Sequence, residues 1–260
     1  MSRDIPPPGA PGSLGYHPGM TENADFTLEQ LTGRSREHLT ELSEPRCSLH
    51  RDVAASFLAM RAAAAVDGLD LVAFSSFRDF DRQLTIWNGK FRGEREMQDR
   101  SGRRLDGLAL SPVERVAAIL WWSALPGASR HHWGTDFDVM DLATLPPGYR
   151  VQVVPAEYAR GGPFHRLTTW LDANMHAYGF YRPYATDRGG VSPEPWHLSH
   201  APVAQRAQRT LSVDGLRAVL ADSEIEGKDA VLETLAENFR RYVLDVDQPP
   251  AAATFSPRLT

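Results

Sequence analysis

The chain has 260 residues, of which 42% are hydrophobic and 23% are charged. It contains 28 basic and 33 acidic residues, which give a net charge of −5. These proportions are typical of a globular protein and exclude a fibrous or wholly disordered chain. The negative charge argues against a nucleic-acid partner, and no apolar run approaches the roughly 18 to 20 residues of a membrane span. The single cysteine excludes an intrachain disulfide.

Proline and glycine mark both ends of the chain, and they suggest its organisation. We predict a flexible arm over residues 1–25, a compact domain over residues 26–210, a helical extension packed on it over residues 211–246, and a flexible tail over residues 247–260. Met1–Gly19 lacks the apolar segment of a secretory signal. The compartment is therefore cytoplasmic on a literal reading, or the cell envelope if a leader is missing from this chain.

Between the two ends, helical and strand patterns alternate. Apolar residues at helical spacing predict helices, and short apolar runs between turn residues predict buried strands. In chain order these are a helix over Leu49–Asp67, a strand over Leu69–Phe74, helices over Asp79–Phe91 and Pro112–Leu125, a strand over Phe137–Met140, a helix over Phe164–Tyr178, a strand over Trp196–Leu198, and helices over Ser212–Leu220 and Lys228–Leu244.

The segment Arg92–Gly107 mixes five arginines with four acidic residues. Such a composition is typical of a solvated loop, but a mobile flap beside a cleft would have the same composition. The sequence leaves both interpretations open.

Two short stretches have the residue types of a metal site. In the first, a turn containing Gly134 separates His131 from Asp138, and such a turn can bring the two side chains together. In the second, Glu194 stands three positions before His197. Odd spacing would put these two side chains on opposite faces of a strand, but Pro195 between them favours a bend that turns both towards one centre.

These residues match the requirements of a hydrolytic zinc site. A catalytic zinc ion takes three protein ligands from histidine and carboxylate and keeps a fourth position open. His131, Asp138 and His197 would supply the three ligands. Glu194 would then be free to act as a general base on the attacking water and to pass the proton to a leaving amine.

The pattern resembles a known family, the zinc D-alanyl-D-alanine peptidases, which include the vancomycin-resistance carboxypeptidases and dipeptidases. Residues 129–138 read Ser-x-His-x-x-Gly-x-x-x-Asp, and residues 194–197 read Glu-x-Trp-His. Residues 76–83, which read Ser-Phe-Arg-Asp-Phe-Asp-Arg-Gln, are similar to a third motif of that family. The resemblance covers approximately Leu49–His200, with the three motifs in the family's order.

The resemblance implies an α+β fold with a small central antiparallel sheet flanked by helices, shared with the hedgehog signalling domain. It also implies one zinc ion per chain and a peptide derived from peptidoglycan as substrate. The implied roles are zinc ligands for His131, Asp138 and His197, catalytic base and acid for Glu194, oxyanion stabilisation for Arg78, and substrate binding for Ser129 and Gln83.

Three positions depart from the family pattern. Asp136 stands where a small apolar residue is usual, and it shares a strand face with Asp138, so it could orient a histidine ligand. Phe77 and Asp79 replace the usual tyrosine and serine. These changes leave the metal ligands intact and bear on substrate identity instead.

The spacing also separates the ligands from two neighbouring histidines. The distance to Gly134 and Asp138 favours His131 over His132 as the ligand, and His200 is expected to be structural or on the surface. The predicted activity is that of a D-alanyl-D-alanine carboxypeptidase. A peptidoglycan endopeptidase is an alternative. A zinc-containing module that only binds cell-wall peptide is another, although the presence of both Glu194 and Arg78 argues against it.

Overall fold

The structure is a computed structural model, and it describes residues 26–251. The arm predicted over residues 1–25 and the last part of the predicted tail, residues 252–260, lie outside the described residues. The described part is an α+β fold in which helices surround a four-stranded antiparallel sheet, and the predicted fold class is confirmed. None of its helices is long and apolar enough to cross a membrane.

The elements of the fold follow in chain order. The first are α1 Leu28–Leu31, β1 Leu39–Ser43, β2 Arg46–His50, α2 Arg51–Val66, β3 Leu71–Ser75 and α3 Phe80–Phe91. The middle of the chain forms β4 Met97–Gln98, β5 Arg104–Leu105, α4 Pro112–Leu120 and β6 Asp136–Asp141. The remainder forms α5 Pro155–Tyr158, α6 His165–Asn174, β7 Phe180–Tyr181, β8 His197–His200, α7 Ala201–Thr210, α8 Val213–Ala221, α9 Lys228–Asn238 and a π-helix Phe239–Leu244.

The central sheet has the strand order β3-β6-β8-β7, and every neighbouring pair is antiparallel. Its register places Asp138 of β6 directly opposite His197 of β8 and also opposite Ser75 of β3. Asp136 is paired with Ser199 of β8. Because alternate residues of a strand share a face, Asp136 and Asp138 lie on the same side of the sheet.

Helix α2 packs one face against the core. Its residues Val53, Phe57, Met60 and Ala64 are fully buried at spacings of three and four, which is the periodicity of one helix face. The ring of Phe57 lies 5.0 Å from that of Phe137 in β6. The buried face of the helix therefore anchors the strand that also carries Asp136 and Asp138.

Local signals set the ends of these helices. Asp79 precedes α3 and its carboxylate accepts a hydrogen bond from the Arg82 backbone N–H at 2.8 Å. Ser111 and Glu114 form a capping box at the start of α4, where Pro112 occupies the first turn. Gly68, with φ +74°, follows the end of α2. The helices and strands predicted from the sequence all occur in the structure, and their first and last residues are shifted.

Some elements were not anticipated from the sequence. They include the β1–β2 hairpin, helices α1, α5 and α7, and the short strands β4, β5 and β7. The helix predicted over Lys228–Leu244 changes to a π-helix after Asn238, and the one predicted to end at Leu125 ends at Leu120. Short strands carry too few residues for a periodicity to show, so their existence depends on tertiary pairing.

The C-terminal part of the chain packs on the rest. Helix α9 contacts α8 and α4, and Leu216 of α8 and Leu235 of α9 are fully buried in the same core as α2. The π-helix and the residues after it contact the loop over residues 182–194, which leads into β8. This packing places the C-terminal segment directly behind one wall of the site described next.

Candidate metal centre and active site

Three separate elements bring His131, Asp138 and His197 together. His131 lies in a 3-10 turn, Arg130–Trp133, that ends at Gly134 with φ +67°. A Cβ atom at Gly134 would lie 2.7 Å from the His50 backbone nitrogen, so the turn requires glycine for both its conformation and its close approach. The turn positions His131 beside the antiparallel pair formed by Asp138 and His197.

The donor atoms of these three residues are spaced as a metal ion needs them. His131 Nε2 lies 3.6 Å from Asp138 Oδ2, and His197 Nδ1 lies 3.4 Å from Asp138 Oδ1. Zinc bonds of about 2.1 Å at tetrahedral angles place neighbouring donors about 3.4 Å apart. Asp138 Oδ1 is buried and has no hydrogen-bond partner among the described residues. One ligand atom of each residue lies within 4.8 Å of the others, and two imidazoles and one carboxylate are a donor set that suits zinc.

Each histidine is held by a hydrogen bond from its other ring nitrogen. His131 Nδ1 lies 3.0 Å from the Ser76 carbonyl oxygen, and His197 Nε2 lies 3.0 Å from Asp136 Oδ1. A carbonyl or carboxylate oxygen can only accept, so these two nitrogens carry the hydrogens. His131 Nε2 and His197 Nδ1 face Asp138 and are the nitrogens placed to bind a metal ion. Burial lowers the pKa of His197, but hydrogen bonds to Asp136, Asp138 and Glu194 outweigh burial and raise it, so a metal ion would displace the proton on Nδ1.

Asp136 belongs to a buried ion pair that the sequence only partly revealed. Its carboxylate accepts hydrogen bonds from Arg130 Nε at 2.7 Å and from the hydroxyls of Thr135 and Ser199. Burial raises the pKa of Asp136, but the charges of Arg130 and His197 outweigh burial and hold this pKa below its usual range. The contact suggested by the strand position of Asp136 is thus present, whereas nothing in the sequence indicated Arg130 as its partner.

Glu194 reaches the same centre through a turn. The His197 backbone N–H donates to the Glu194 carbonyl oxygen at 3.2 Å, which closes a four-residue turn with Pro195 at its second position. Glu194 Oε2 consequently lies 3.4 Å from His197 Nδ1. Burial raises the pKa of the Glu194 carboxyl, as suits a group that must both accept and return a proton.

Arg78 is fixed in place beside the centre by its own neighbours. Its Nη1 donates to Gln83 Oε1 at 2.8 Å and its Nη2 donates to Ser75 Oγ at 3.2 Å. The Gln83 amide in turn donates to the Ala124 carbonyl oxygen at 2.7 Å. Gln83 is fully buried and contacts Arg78, and its binding of substrate stays a prediction.

These side chains open on a cavity of about 310 Å³. Ser129 lies on its wall, where its hydroxyl makes no hydrogen bond to the described part of the chain. Sequence analysis did not select the other polar and aromatic residues of the wall. They include Lys90, Gln98, Ser123 and Tyr184.

Two signals could have found some of these wall residues. Lys90 stands seven residues after Gln83, on the same face of α3, so the helical period already directs it to the site. Gln98 lies in β4, inside the charge-mixed segment Arg92–Gly107. That segment is thus a short hairpin that borders the cleft rather than a featureless loop.

The neighbouring histidines have structural contacts. His132 Nδ1 donates to the Arg78 carbonyl oxygen at 2.6 Å, and its Nε2 accepts from the Gly127 backbone N–H at 3.1 Å. Burial lowers the pKa of His132 to about 3, so the ring is neutral. His200 is buried against the Phe180 ring. Neither histidine joins the three donors at the centre.

A family model and several known proteins match this chain. A family model described as "VanY: D-alanyl-D-alanine carboxypeptidase" matches residues 46–203, and this region includes every candidate site residue. An uncharacterized protein of Haemophilus influenzae is 34% identical over 122 residues, which are 46% of this chain and 93% of that protein. A D-alanyl-D-alanine carboxypeptidase of Enterococcus faecalis is 26% identical over 141 residues, which are 53% of this chain and 42% of that enzyme.

The solved structures that are similar to this chain include VanYB in complex with D-alanine-D-alanine. It is 20% identical in sequence and has a TM-score of 0.46, and the match covers 71% of this chain and 89% of that one.

Proposed function

The chain belongs to the VanY family of D-alanyl-D-alanine carboxypeptidases, and from that premise we propose that it is a zinc-dependent carboxypeptidase that removes the terminal D-alanine of peptidoglycan stem peptides or their fragments. The family makes it a peptidase. We further propose that its activity requires zinc and that the terminal peptide bond is the one cleaved.

The observation that carries the proposal is the arrangement of ring nitrogens around Asp138. Hydrogen bonds on the outer side of His131 and His197 direct the other nitrogen of each ring at the Asp138 carboxylate, 3.4 to 3.6 Å away. A bound zinc ion would supply Lewis acidity towards the scissile carbonyl and make hydroxide available near neutral pH.

The chain's own residues would complete the reaction. Glu194, 3.4 Å from His197 Nδ1, would take a proton from the attacking water and deliver it to the leaving amine. Arg78, held by Gln83 and Ser75, would donate hydrogen bonds to the oxyanion that forms on the substrate carbonyl. The free hydroxyl of Ser129 would bind the substrate beside the cleaved bond.

The test is to replace Glu194 by glutamine, which keeps the side-chain shape and removes the base. We expect kcat on a peptide ending in D-Ala-D-Ala to fall by about 10² to 10⁴, with zinc content still near one per chain by elemental analysis. Glu96→Gln is the matched control, because Glu96 borders the same cavity but is exposed and makes no contact with the three ligands. Turnover that survives in Glu194→Gln, or that survives complete removal of zinc by a chelator, would contradict the mechanism.

A second measurement addresses which bond is cut. A carboxypeptidase should cleave a peptide with a free C-terminal carboxylate much faster than the same peptide with a C-terminal amide. Equal rates on the two peptides would favour the endopeptidase alternative.

A further inference from the structure

Lys90 is a cation on the cavity wall without a carboxylate partner. It lies in the last turn of α3, and its Nζ donates to Ser123 Oγ at 2.7 Å. No carboxylate oxygen of the described residues lies within 4.0 Å of this Nζ. An ammonium group has three donors, so two N–H bonds of Lys90 are available to a ligand in the cavity.

The charges around Lys90 favour an anionic ligand. Burial, Arg95 and Arg78 lower the pKa of Lys90 to about 8, while Glu194 acts in the opposite direction. The side chain is therefore still largely protonated near pH 7. Removing a cation from water without an acidic partner is costly, and a bound anion would offset that cost.

Arg78 and Gln83, near the metal centre, already have protein partners. The guanidinium of Arg78 is held beside the centre by Gln83 and Ser75. The amide of Gln83 accepts from Arg78 and donates to the Ala124 carbonyl oxygen, and the side chain is fully buried and does not line the cavity. Among the cations of the cavity wall, Lys90 is therefore the one to which these contacts give no role.

We propose that Lys90 binds the free terminal carboxylate of the substrate and thereby restricts cleavage to the last peptide bond. This inference rests on the proposed function. Lys90 is half-buried, and an ammonium–carboxylate hydrogen bond is stronger than one between neutral groups. A peptide that continues past the cleaved bond, or that ends in an amide, would leave Lys90 with no anion.

The kinetic test compares two peptides that differ only at the C-terminus, one with the free acid of D-Ala-D-Ala and one with its amide. Lys90→Met and Lys90→Gln should each raise KM for the acid by about tenfold or more and leave KM for the amide unchanged. Lys90→Gln retains a donor for Ser123, so it separates loss of charge from loss of that hydrogen bond. Lys90→Arg should restore the preference for the acid.

The sequence supplies a matched control, since the chain contains just two lysines, Lys90 and Lys228. Lys228 donates to the Ala221 carbonyl oxygen at 3.0 Å and is absent from the cavity wall. Lys228→Met should behave as the parent protein on both peptides. An unchanged KM for the acid in Lys90→Met and Lys90→Gln, with parent activity intact, would overturn the inference while leaving the proposed function standing.

A labelling experiment distinguishes failure of this inference from failure of the proposed function. Zinc-loaded protein is treated with an amine-reactive acetylating reagent, and modification of the two lysines is followed by mass spectrometry. The free-acid peptide should protect Lys90 and not Lys228, and the amide should protect neither. If the parent protein cleaves neither peptide, the proposed function fails. Protection of Lys90 by the free-acid peptide would still show that Lys90 binds the carboxylate. Absence of protection by the acid would overturn the binding role.

Discussion

Replacement of Asp136 by asparagine isolates the charge that holds one zinc ligand in position. Asparagine has nearly the same shape as aspartate, and its carbonyl oxygen can still accept a hydrogen bond from Arg130 or from His197. The hydroxyls of Thr135 and Ser199 can rotate to accept hydrogen bonds from the new amide group. The main loss is therefore the negative charge beside Arg130.

The size of that loss follows from burial. The side chains of Arg130 and Asp136 are 1% and 0% exposed. Without the carboxylate, Arg130 keeps the neutral acceptors Tyr181, Ser199 and Gln208, but its charge is uncompensated. Breaking a buried ion pair on one side costs about 3–5 kcal/mol. The metal-free protein should lose that much unfolding free energy.

Asp52→Asn provides the comparison, because Asp52 also pairs with an arginine, Arg206, at 3.1 Å, but with 41% and 21% of the two side chains exposed. An exposed pair of this kind contributes about 1 kcal/mol or less. Urea unfolding of both variants, followed by tryptophan fluorescence with a chelator present, measures the difference directly. Similar losses in Asp136→Asn and Asp52→Asn would refute the argument from burial. In a zinc competition titration, Asp136→Asn should also bind zinc about 10- to 100-fold more weakly.

Two further predictions concern the substrate cleft. Because burial lowers the pKa of Lys90 to about 8, its charge is present near pH 7 and is lost as the pH rises through that value. The ratio of KM for the amide to KM for the acid should therefore fall between about pH 7 and about pH 9.5, and it should not change with pH in Lys90→Met. Asp247 accepts hydrogen bonds from the backbone N–H and the hydroxyl of Thr186, each at 2.8 Å, so Asp247→Ala should accelerate amide hydrogen exchange over residues 184–190. Exchange in α2 should stay unchanged, and equal acceleration there would indicate general destabilisation instead.

The candidate ligands could be found from the sequence because their positions depend on local geometry. Gly134 permits the turn after His131, and Pro195 bends the chain between Glu194 and His197. Both effects act within a few residues, so spacing alone predicts them. The helices α2 and α3 were predicted for the same reason, since a 3.6-residue period is a local signal.

The partners of those residues were decided by the tertiary structure. Asp136 meets His197 and Ser199 because β6 and β8 pair in one register, and Lys90 and Ser123 meet on the cavity wall because α3 and the segment after α4 converge there. Gln83 was expected to bind substrate, and the tertiary structure adds its contacts with Arg78 and with the Ala124 carbonyl oxygen. A sequence shows which groups carry chemistry, but which of them share a hydrogen bond depends on distances between segments far apart in the chain, and folding alone sets those distances.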